Sequence, residues 1–219
     1  MNDLVKQYFE IKDKCRKGLL KYLTKAISII PIIENPRILD VGCGSGVPTL
    51  MIAEKFNGKI TAVDTDTKSI DIFREKVENL NLANRVFLTV NSLFDIKVKN
   101  NQYDLILAEG LLNVIGFQKG FLRIVKLLKR KGFIIIHDEF QNQNEKIEFI
   151  KNNDCKILDS FMLDEQIWWN DYFKCLEKEL SSNSNQELLK LFKSDIEEIK
   201  LFKKNPSQYS SVYYIIEKI

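Results

Sequence analysis

The chain shows two spacings of hydrophobic residues, one typical of helices and one typical of buried strands. Over residues 3–30 the apolar positions recur three or four apart, which predicts a helix interrupted near Gly18. Short continuous apolar runs follow, separated by further helical patterns, and such runs are typical of strands buried on both faces. We predict strands at 38–41, 59–64, 85–90, 102–109, 133–139, 156–163 and 208–218.

The alternation of strands with helices predicts an α/β fold around a parallel sheet. We expect a single domain over 1–219, divided into a helical cap, a core, a helical insertion and a final strand at 1–35, 36–163, 164–206 and 207–219. A helix over 117–128 is predicted to end in the basic residues 129–131, followed by a stop at Gly132. The insertion shows two helical patterns, and the second opens with a predicted capping box of Ser184 and Glu187.

Composition narrows the class of protein. The 219 residues are 45% hydrophobic, and 33 basic against 30 acidic residues give a net charge of +3, too balanced to argue for a nucleic-acid partner. The four cysteines form no C-x-x-C pair, so we expect neither a metal site nor a disulfide framework, and reduced thiols. No apolar run is long enough for a membrane span, and no signal-peptide core stands at the N-terminus. We therefore predict a cytoplasmic protein with no membrane or nucleic-acid partner.

A glycine-rich turn connects the first predicted strand to the next helix. Asp40 ends the strand, and Gly42, Gly44 and Gly46 follow at alternate positions. Such a turn lets the backbone approach a ligand closely, and the free N–H groups of the new helix face that ligand. A dinucleotide fingerprint would need a third glycine at position 47 or 49, and a P-loop would need a lysine, so the residues present exclude both patterns.

The Asp40-x-Gly42-x-Gly44-x-Gly46 pattern resembles motif I of the class I S-adenosylmethionine-dependent methyltransferases. The resemblance implies a Rossmann-like seven-stranded sheet in the order 3-2-1-4-5-7-6, with strand 7 antiparallel and helices on both faces. It also implies S-adenosyl-L-methionine as the cofactor, with no metal. The residues that the resemblance assigns to the cofactor are Asp40, Gly42, Cys43, Gly44, Gly46, Asp64, Thr65, Ser92, Leu93 and Glu109.

Asp64 fits the role of a ribose-binding residue well, whereas Ser92 differs from the residue that the family usually has beside the adenine. Asp64 ends the second strand at the separation from Gly42 that a ribose-binding carboxylate needs, although it could instead cap a helix. We expect Asp66 to be the cap of the next helix. Ser92 stands where the family usually has an acidic residue, so adenine recognition would depend on its hydroxyl and on the backbone of Leu93.

Two side chains are candidates for a general base. Glu109 follows the fourth strand in the sequence Ala108-Glu109-Gly110, which differs from the motifs of the DNA-base methyltransferases at this place. His137, the single histidine of the chain, stands near the end of the fifth strand, where this fold presents residues to a substrate. A hydrogen-bonded structural histidine is the alternative. A base is needed only if the attacking atom of the acceptor is protonated.

Aromatic residues are concentrated in the cap and in the insertion. We predict that Tyr8, Trp168, Trp169 and Tyr172 contact the substrate, with the insertion as a lid. The alternatives are that these rings anchor the helices to the sheet or form the surface of a homodimer.

The sequence therefore predicts an S-adenosylmethionine-dependent methyltransferase that acts on a small molecule by direct in-line transfer. An RNA or protein methyltransferase is the alternative enzyme, and a non-catalytic S-adenosylmethionine-binding protein is the alternative without catalysis. The glycine spacing disfavours a nicotinamide oxidoreductase.

Overall fold

The computed structural model of the protein describes residues 3–219 and consists of strands and helices in alternation. The strands are β1 (Arg37–Val41), β2 (Lys59–Asp64), β3 (Val86–Val90), β4 (Tyr103–Glu109), β5 (Leu128–Glu139), β6 (Cys155–Leu163) and β7 (Ser211–Lys218). The α-helices are α1 (Asp3–Arg16), α2 (Leu20–Ile29), α3 (Val47–Lys55), α4 (Thr67–Asn79), α5 (Leu112–Ile115), α6 (Phe117–Leu127), α7 (Gln143–Lys151), α8 (Glu165–Trp168), α9 (Lys174–Ser181), α10 (Gln186–Leu191) and α11 (Lys193–Lys204). Short 3₁₀ helices at Lys17–Leu19 and Pro206–Tyr209 and a π-helical turn at Trp169–Phe173 complete the described chain.

All seven strands form one sheet in the order β3-β2-β1-β4-β5-β7-β6. β7 runs antiparallel to both of its neighbours, and the other pairs are parallel. The predicted Rossmann-like sheet is confirmed in its order and in the direction of its last strand. The strand order reverses between β1 and β4, so the carboxyl ends of these two strands open the crevice where ligands bind in such sheets.

The central strands are buried on both faces. Along β1, Ile38 packs into the apolar layer on one side of the sheet, while Leu39 and Val41 pack into the layer on the other side. Alternate side chains of a strand point to opposite faces, and burial of each such side chain contributes roughly 1.5–3 kcal/mol. A continuous apolar run is therefore what a central strand requires, and the alternation directs Asp40 to the same face of the sheet as Ile38.

The N-terminal helix is joined to the insertion. Cys15 of α1 and Cys175 of α9 form a disulfide with their Cα atoms 5.4 Å apart. The Lys14 ammonium also binds the Glu179 carboxylate at 2.8 Å. Nearby, a Cβ atom added to Gly18 would lie 2.0 Å from the Asp171 carbonyl oxygen, so the glycine permits the close packing of the two segments.

The predicted absence of disulfides is therefore wrong for one pair of cysteines. Cys15 and Cys175 are 160 residues apart, and only the packing of α1 on the insertion brings them together. Cys43 and Cys155 are buried free thiols, in agreement with the prediction.

Two predicted helix boundaries also need correction. The basic residues 129–131 belong to the start of β5 rather than to the end of α6, because β5 begins directly at Leu128. In the insertion, the side chain that caps α10 is Asn185, which accepts hydrogen bonds from the backbone N–H groups of Glu187 and Leu188. The predicted cap at Ser184 is one residue too early. Asp66 caps α4 as predicted, through the N–H groups of Lys68 and Ser69.

No helix within residues 3–219 is both long enough and apolar enough to cross a membrane.

Candidate functional site

The turn between β1 and α3 has the conformation that its glycines suggested. Gly42, Gly44 and Gly46 have φ angles of 75°, 53° and 85°. A Cβ atom on Gly46 would lie 2.3 Å from the ring of Phe73, so no other residue fits at that position without displacing the ring. The glycines therefore set the path of the backbone at the carboxyl edge of the sheet, where α3 begins.

Asp64, at the end of the neighbouring strand β2, is hydrogen-bonded to this turn. One carboxylate oxygen accepts a hydrogen bond from the Gly44 N–H at 2.8 Å, and the other accepts from the Asp66 N–H at 2.9 Å. Asp66, and not Asp64, caps the following helix. A carboxylate offers about four acceptor positions, so two acceptor positions of Asp64 are free for hydroxyl groups of a ligand.

Two cavities lie along the glycine turn. The first, here called the glycine cavity, has a volume of about 160 Å³ and is lined by Arg16, Asp40, Gly42, Cys43, Gly44 and Glu109. The second, the edge cavity, has a volume of about 120 Å³ and is lined by Gly42, Asp64, Thr65, Ser92, Leu93 and Leu111. Gly42 lines both cavities, so they follow the same stretch of backbone. Nine of the ten predicted cofactor residues line one cavity or the other, and the tenth, Gly46, shapes the turn.

Asp40 is the buried acid of the glycine cavity. Its side chain is 2% exposed and accepts a hydrogen bond from the Thr49 hydroxyl. Burial raises the pKa of Asp40 to about 7, the Thr49 hydrogen bond opposes that shift, and the carboxylates of Glu109 and Asp64 add to it. The group therefore changes its charge near neutral pH, and a cation bound beside it would favour the ionised form.

Ser92 and Leu93 already have partners of their own. The Ser92 hydroxyl oxygen accepts from the Phe94 N–H at 3.2 Å, and the Leu93 carbonyl oxygen accepts from the Arg123 guanidinium at 3.4 Å. These contacts fix the short segment after β3 that forms one wall of the edge cavity.

Glu109 is the last residue of β4 and lines the glycine cavity. Its carboxylate accepts hydrogen bonds from the Tyr213 hydroxyl and from the Arg16 guanidinium, the latter at 3.3 Å. The side chain of Glu109 is 7% exposed, and burial together with this carboxylate raises the pKa of Tyr213 well above its ordinary value. The three side chains come from β4, α1 and β7, so the contact joins the core, the cap and the last strand.

Arg16 also lines a third cavity. This aromatic cavity has a volume of about 300 Å³, and its lining residues include Arg16, His137, Trp168, Phe173, Glu198 and Tyr209. Arg16 lines both the glycine cavity and the aromatic cavity. The ion pair of Arg16 with Glu109 therefore stands at the junction of the two.

His137 is a packed and hydrogen-bonded residue in the wall of the aromatic cavity. Its ring stacks on Tyr213 with a centroid distance of 4.2 Å, and its Nε2 atom lies 2.8 Å from the Ser211 hydroxyl oxygen. The Trp168 indole N–H donates to the same oxygen at 2.9 Å. Burial lowers the pKa of His137 to about 3, with the nearby Arg16 charge adding to the shift, so the ring is neutral near pH 7.

The four predicted substrate residues are placed differently. Trp168 lines the aromatic cavity. Tyr172 is buried beside it, with the two ring centroids 5.9 Å apart. Trp169 stacks on Phe202, and Tyr8 packs on Phe192, and neither residue lines any of the three cavities.

Sequence reasoning missed several polar residues that close the site. Asp13 of α1 accepts a hydrogen bond from the Ser45 hydroxyl and binds the Lys76 ammonium, which in turn donates to the Ser45 carbonyl oxygen at 2.7 Å. Asp13 and Arg16 therefore hold α1 over the glycine turn. The apolar periodicity of the helix predicts which face packs on the protein, but it carries no signal for polar residues that reach sideways into a site.

Comparison with known proteins gives consistent matches. The sequence profile of a family described as a methyltransferase domain matches residues 32–203. The phosphoethanolamine N-methyltransferase of Plasmodium falciparum (isolate 3D7) is 24% identical over 198 residues, which cover 80% of this chain and 73% of that protein.

Two solved structures share the fold over most of the chain. The [4+2]-cyclase SpnF matches with a TM-score of 0.77 at 15% identity, over 90% of this chain and 80% of the cyclase. A protein described as a sarcosine dimethylglycine methyltransferase from Galdieria sulphuraria matches with a TM-score of 0.73, also at 15% identity, over 99% and 98% of the two chains.

The raised pKa of Asp40 predicts a pH-dependent affinity for S-adenosylhomocysteine, whose ammonium group prefers an ionised partner. Asp40 ionises as the pH rises through about 7, so the affinity should increase about tenfold between pH 6 and pH 8. Calorimetric titration at pH 6, 7 and 8 measures this change. In the Asp40→Asn variant the affinity should be weaker and nearly independent of pH. An affinity of the unaltered protein that stays constant or falls over this range would contradict the role of Asp40.

The free acceptor positions of Asp64 predict a second effect. Asp64→Ala should weaken S-adenosylhomocysteine binding about tenfold or more, because charge-assisted hydrogen bonds of about 1.5–3 kcal/mol are lost. Asp66→Ala is the matched control: it removes the α4 cap, so it should lower the melting temperature and leave the affinity unchanged. Equal losses of affinity in both variants would show that Asp64 acts only by holding the turn.

Proposed function

Because this chain belongs to the methyltransferase domain family, of the class I type that uses S-adenosylmethionine, we propose that it methylates a small molecule. The observation that carries the proposal is the aromatic cavity, which shares the lining residue Arg16 with the glycine cavity. Its volume of about 300 Å³ lies at the small end of the range for ligand pockets in proteins. The relative from Plasmodium falciparum, a phosphoethanolamine N-methyltransferase by name, supports a small acceptor.

The residues at the glycine turn fit the cofactor. Asp64 has acceptor positions for two ribose hydroxyls, and the buried Asp40 can balance an ammonium group. Apart from the two residues adjacent to Gly44, none of residues 3–219 has an atom within 4 Å of the position that a Cβ atom would take there, so the backbone is open to a ligand. In the proposal these three residues hold the amino-acid and ribose ends, while Ser92 and Leu93 flank the adenine.

S-adenosylmethionine supplies an electrophilic methyl group on a positively charged sulfur. In the transfer, an electron pair of the acceptor forms the new bond to the methyl carbon, while the electron pair of the old carbon–sulfur bond stays on sulfur. The chain contributes alignment of the two partners and exclusion of water. In the proposal the rings of Trp168 and Phe173 supply the apolar wall on the acceptor side.

We propose different roles for the two base candidates. The Glu109 carboxylate is held between the Arg16 guanidinium and the Tyr213 hydroxyl, so we assign Glu109 to orienting Arg16. With a pKa of about 3, His137 is a weak proton acceptor near pH 7, so we assign it to holding Ser211 and Trp168 in place.

Two alternative functions remain outcomes of the test. An RNA or protein methyltransferase would transfer the label to a macromolecule, although a cavity of about 300 Å³ walled by the insertion suits a small acceptor better. A protein that binds the cofactor without transferring the methyl group is the other alternative, and the fold shared with a cyclase allows it. The cytoplasmic location and the homodimer stay predictions.

The test uses S-adenosylmethionine that carries an isotopic label in its methyl group. The purified protein is incubated with this cofactor and with a cell extract divided by filtration into small molecules and macromolecules. We expect the label in the small-molecule fraction, with the Asp64→Ala variant as the control for cofactor-dependent transfer. Label in RNA or protein would contradict the proposed acceptor class, and no label in either fraction would contradict transfer itself. Binding of NAD with no response to S-adenosylhomocysteine would contradict the cofactor.

A further inference from the structure

The described residues that line the aromatic cavity include more carboxylates than positively charged side chains. Its one arginine, Arg16, is bound by the Glu109 carboxylate at 3.3 Å. Asp138 also lines the cavity, and the buried Lys146 ammonium binds it at 2.7 Å. Among the described residues that line the cavity, Arg16 is the one lysine or arginine, and its charge is already paired with Glu109.

Two further carboxylates line the same cavity, Glu139 at the end of β5 and Glu198 on α11. Neither side chain has an ion pair or a hydrogen bond among the residues from 3 to 219. Lys12, whose charge acts on Glu198, is itself bound to Asp195 at 2.7 Å. Partial burial of the carboxyl group raises the pKa of Glu198, the Lys12 charge opposes that shift and the Asp195 charge adds to it, while Glu139 and Glu198 are both exposed residues. The two carboxylates line the cavity, so they would attract a positively charged group that enters it.

Aromatic rings form another part of the wall, beside polar residues such as Asn113 and Gln208. The centroids of Trp168 and Phe173 are 6.0 Å apart, and those of Phe173 and Tyr209 are 5.7 Å apart with the planes nearly perpendicular. The hydrogen bond from the Trp168 indole to Ser211 fixes the orientation of the largest ring. Faces of such rings attract ammonium groups, and rings combined with carboxylates favour a cation over a neutral group of the same shape.

We propose that the aromatic cavity binds a positively charged amine or ammonium group of the methyl acceptor. The proposal rests on the proposed function, since the cavity serves a transfer reaction only when the cofactor occupies the glycine cavity beside it. It names the substrate class as small compounds that carry an ammonium group. The methyl group goes to an atom of that compound with a free electron pair, and where this atom is an amine nitrogen, the ammonium group first loses its proton to water. A carboxylate or phosphate in the same place would meet Glu139 and Glu198 as like charges.

The test compares two probes of nearly equal shape, choline and its uncharged analogue 3,3-dimethylbutan-1-ol. Each is titrated into the purified protein in the presence of excess S-adenosylhomocysteine, and binding is followed by nuclear magnetic resonance. We expect choline to bind at least about fivefold more tightly than the uncharged analogue. Equal binding of the two probes, or tighter binding of the uncharged one, would overturn the proposal.

Matched variants locate the site. Glu198→Gln keeps the shape of the side chain and removes one charge, so choline affinity should fall about threefold or more while the uncharged analogue is unaffected. Glu197→Gln is the control, because Glu197 is the adjacent residue of α11, pairs with Lys200 at 2.7 Å and does not line the cavity. Equal effects of the two substitutions on choline would overturn the assignment of the site.

Failure of this proposal can be told apart from failure of the proposed function. S-adenosylhomocysteine binding is measured separately by calorimetry, in the absence of choline. If S-adenosylhomocysteine binds and choline shows no preference over its analogue, the amine site is wrong and the cofactor assignment stands. If choline binds preferentially and S-adenosylhomocysteine does not bind, the cavity selects cations and the proposed function is wrong.

Discussion

The buried carboxylate of Glu109 is the contact on which the arrangement of the site depends. It is the last residue of β4, at the carboxyl edge where the strand order reverses, and it binds Arg16 from the cap and Tyr213 from the last strand. A carboxylate that is 7% exposed needs partners, because an unpaired charge in that environment is strongly unfavourable. The cap is therefore held where its residue Arg16 lines both the glycine cavity and the aromatic cavity. The Cys15–Cys175 disulfide adjoins Arg16 and holds the same helix to the insertion.

Much of the core could be predicted because the residue type at each position follows from its immediate surroundings. Ile38, Leu39 and Val41 are continuous apolar residues since the strand is buried on both faces, and Gly46 is a glycine since Phe73 occupies the space of a side chain. Asp64 follows from the same logic, because it ends the strand next to the glycine turn. The strand order was predicted from the resemblance to the class I methyltransferases that the glycine turn indicated, and not from such local causes.

The rest of the site could not be predicted because it depends on contacts between distant segments. Arg16 meets Glu109 across 93 positions of sequence, and Tyr213 meets it across 104. The helical spacing of α1 gives its apolar face but not the direction in which Arg16 points. Among the aromatic residues, the insertion was predicted as a group, yet Trp168 lines a cavity while its neighbour Trp169 stacks on Phe202. A π-helical turn begins at this pair, and the spacing of an α-helix does not predict how it orients the two rings.

A crystal structure of the protein with S-adenosylhomocysteine tests the account most directly. The account predicts ribose hydroxyls within hydrogen-bond distance of the Asp64 carboxylate, about 2.6–3.2 Å, and the ammonium group beside Asp40. It also predicts the sulfur atom at the end of the glycine cavity that faces Trp168 and the aromatic cavity. A ligand bound away from the glycine turn, or a sulfur atom directed away from the aromatic cavity, would contradict the account.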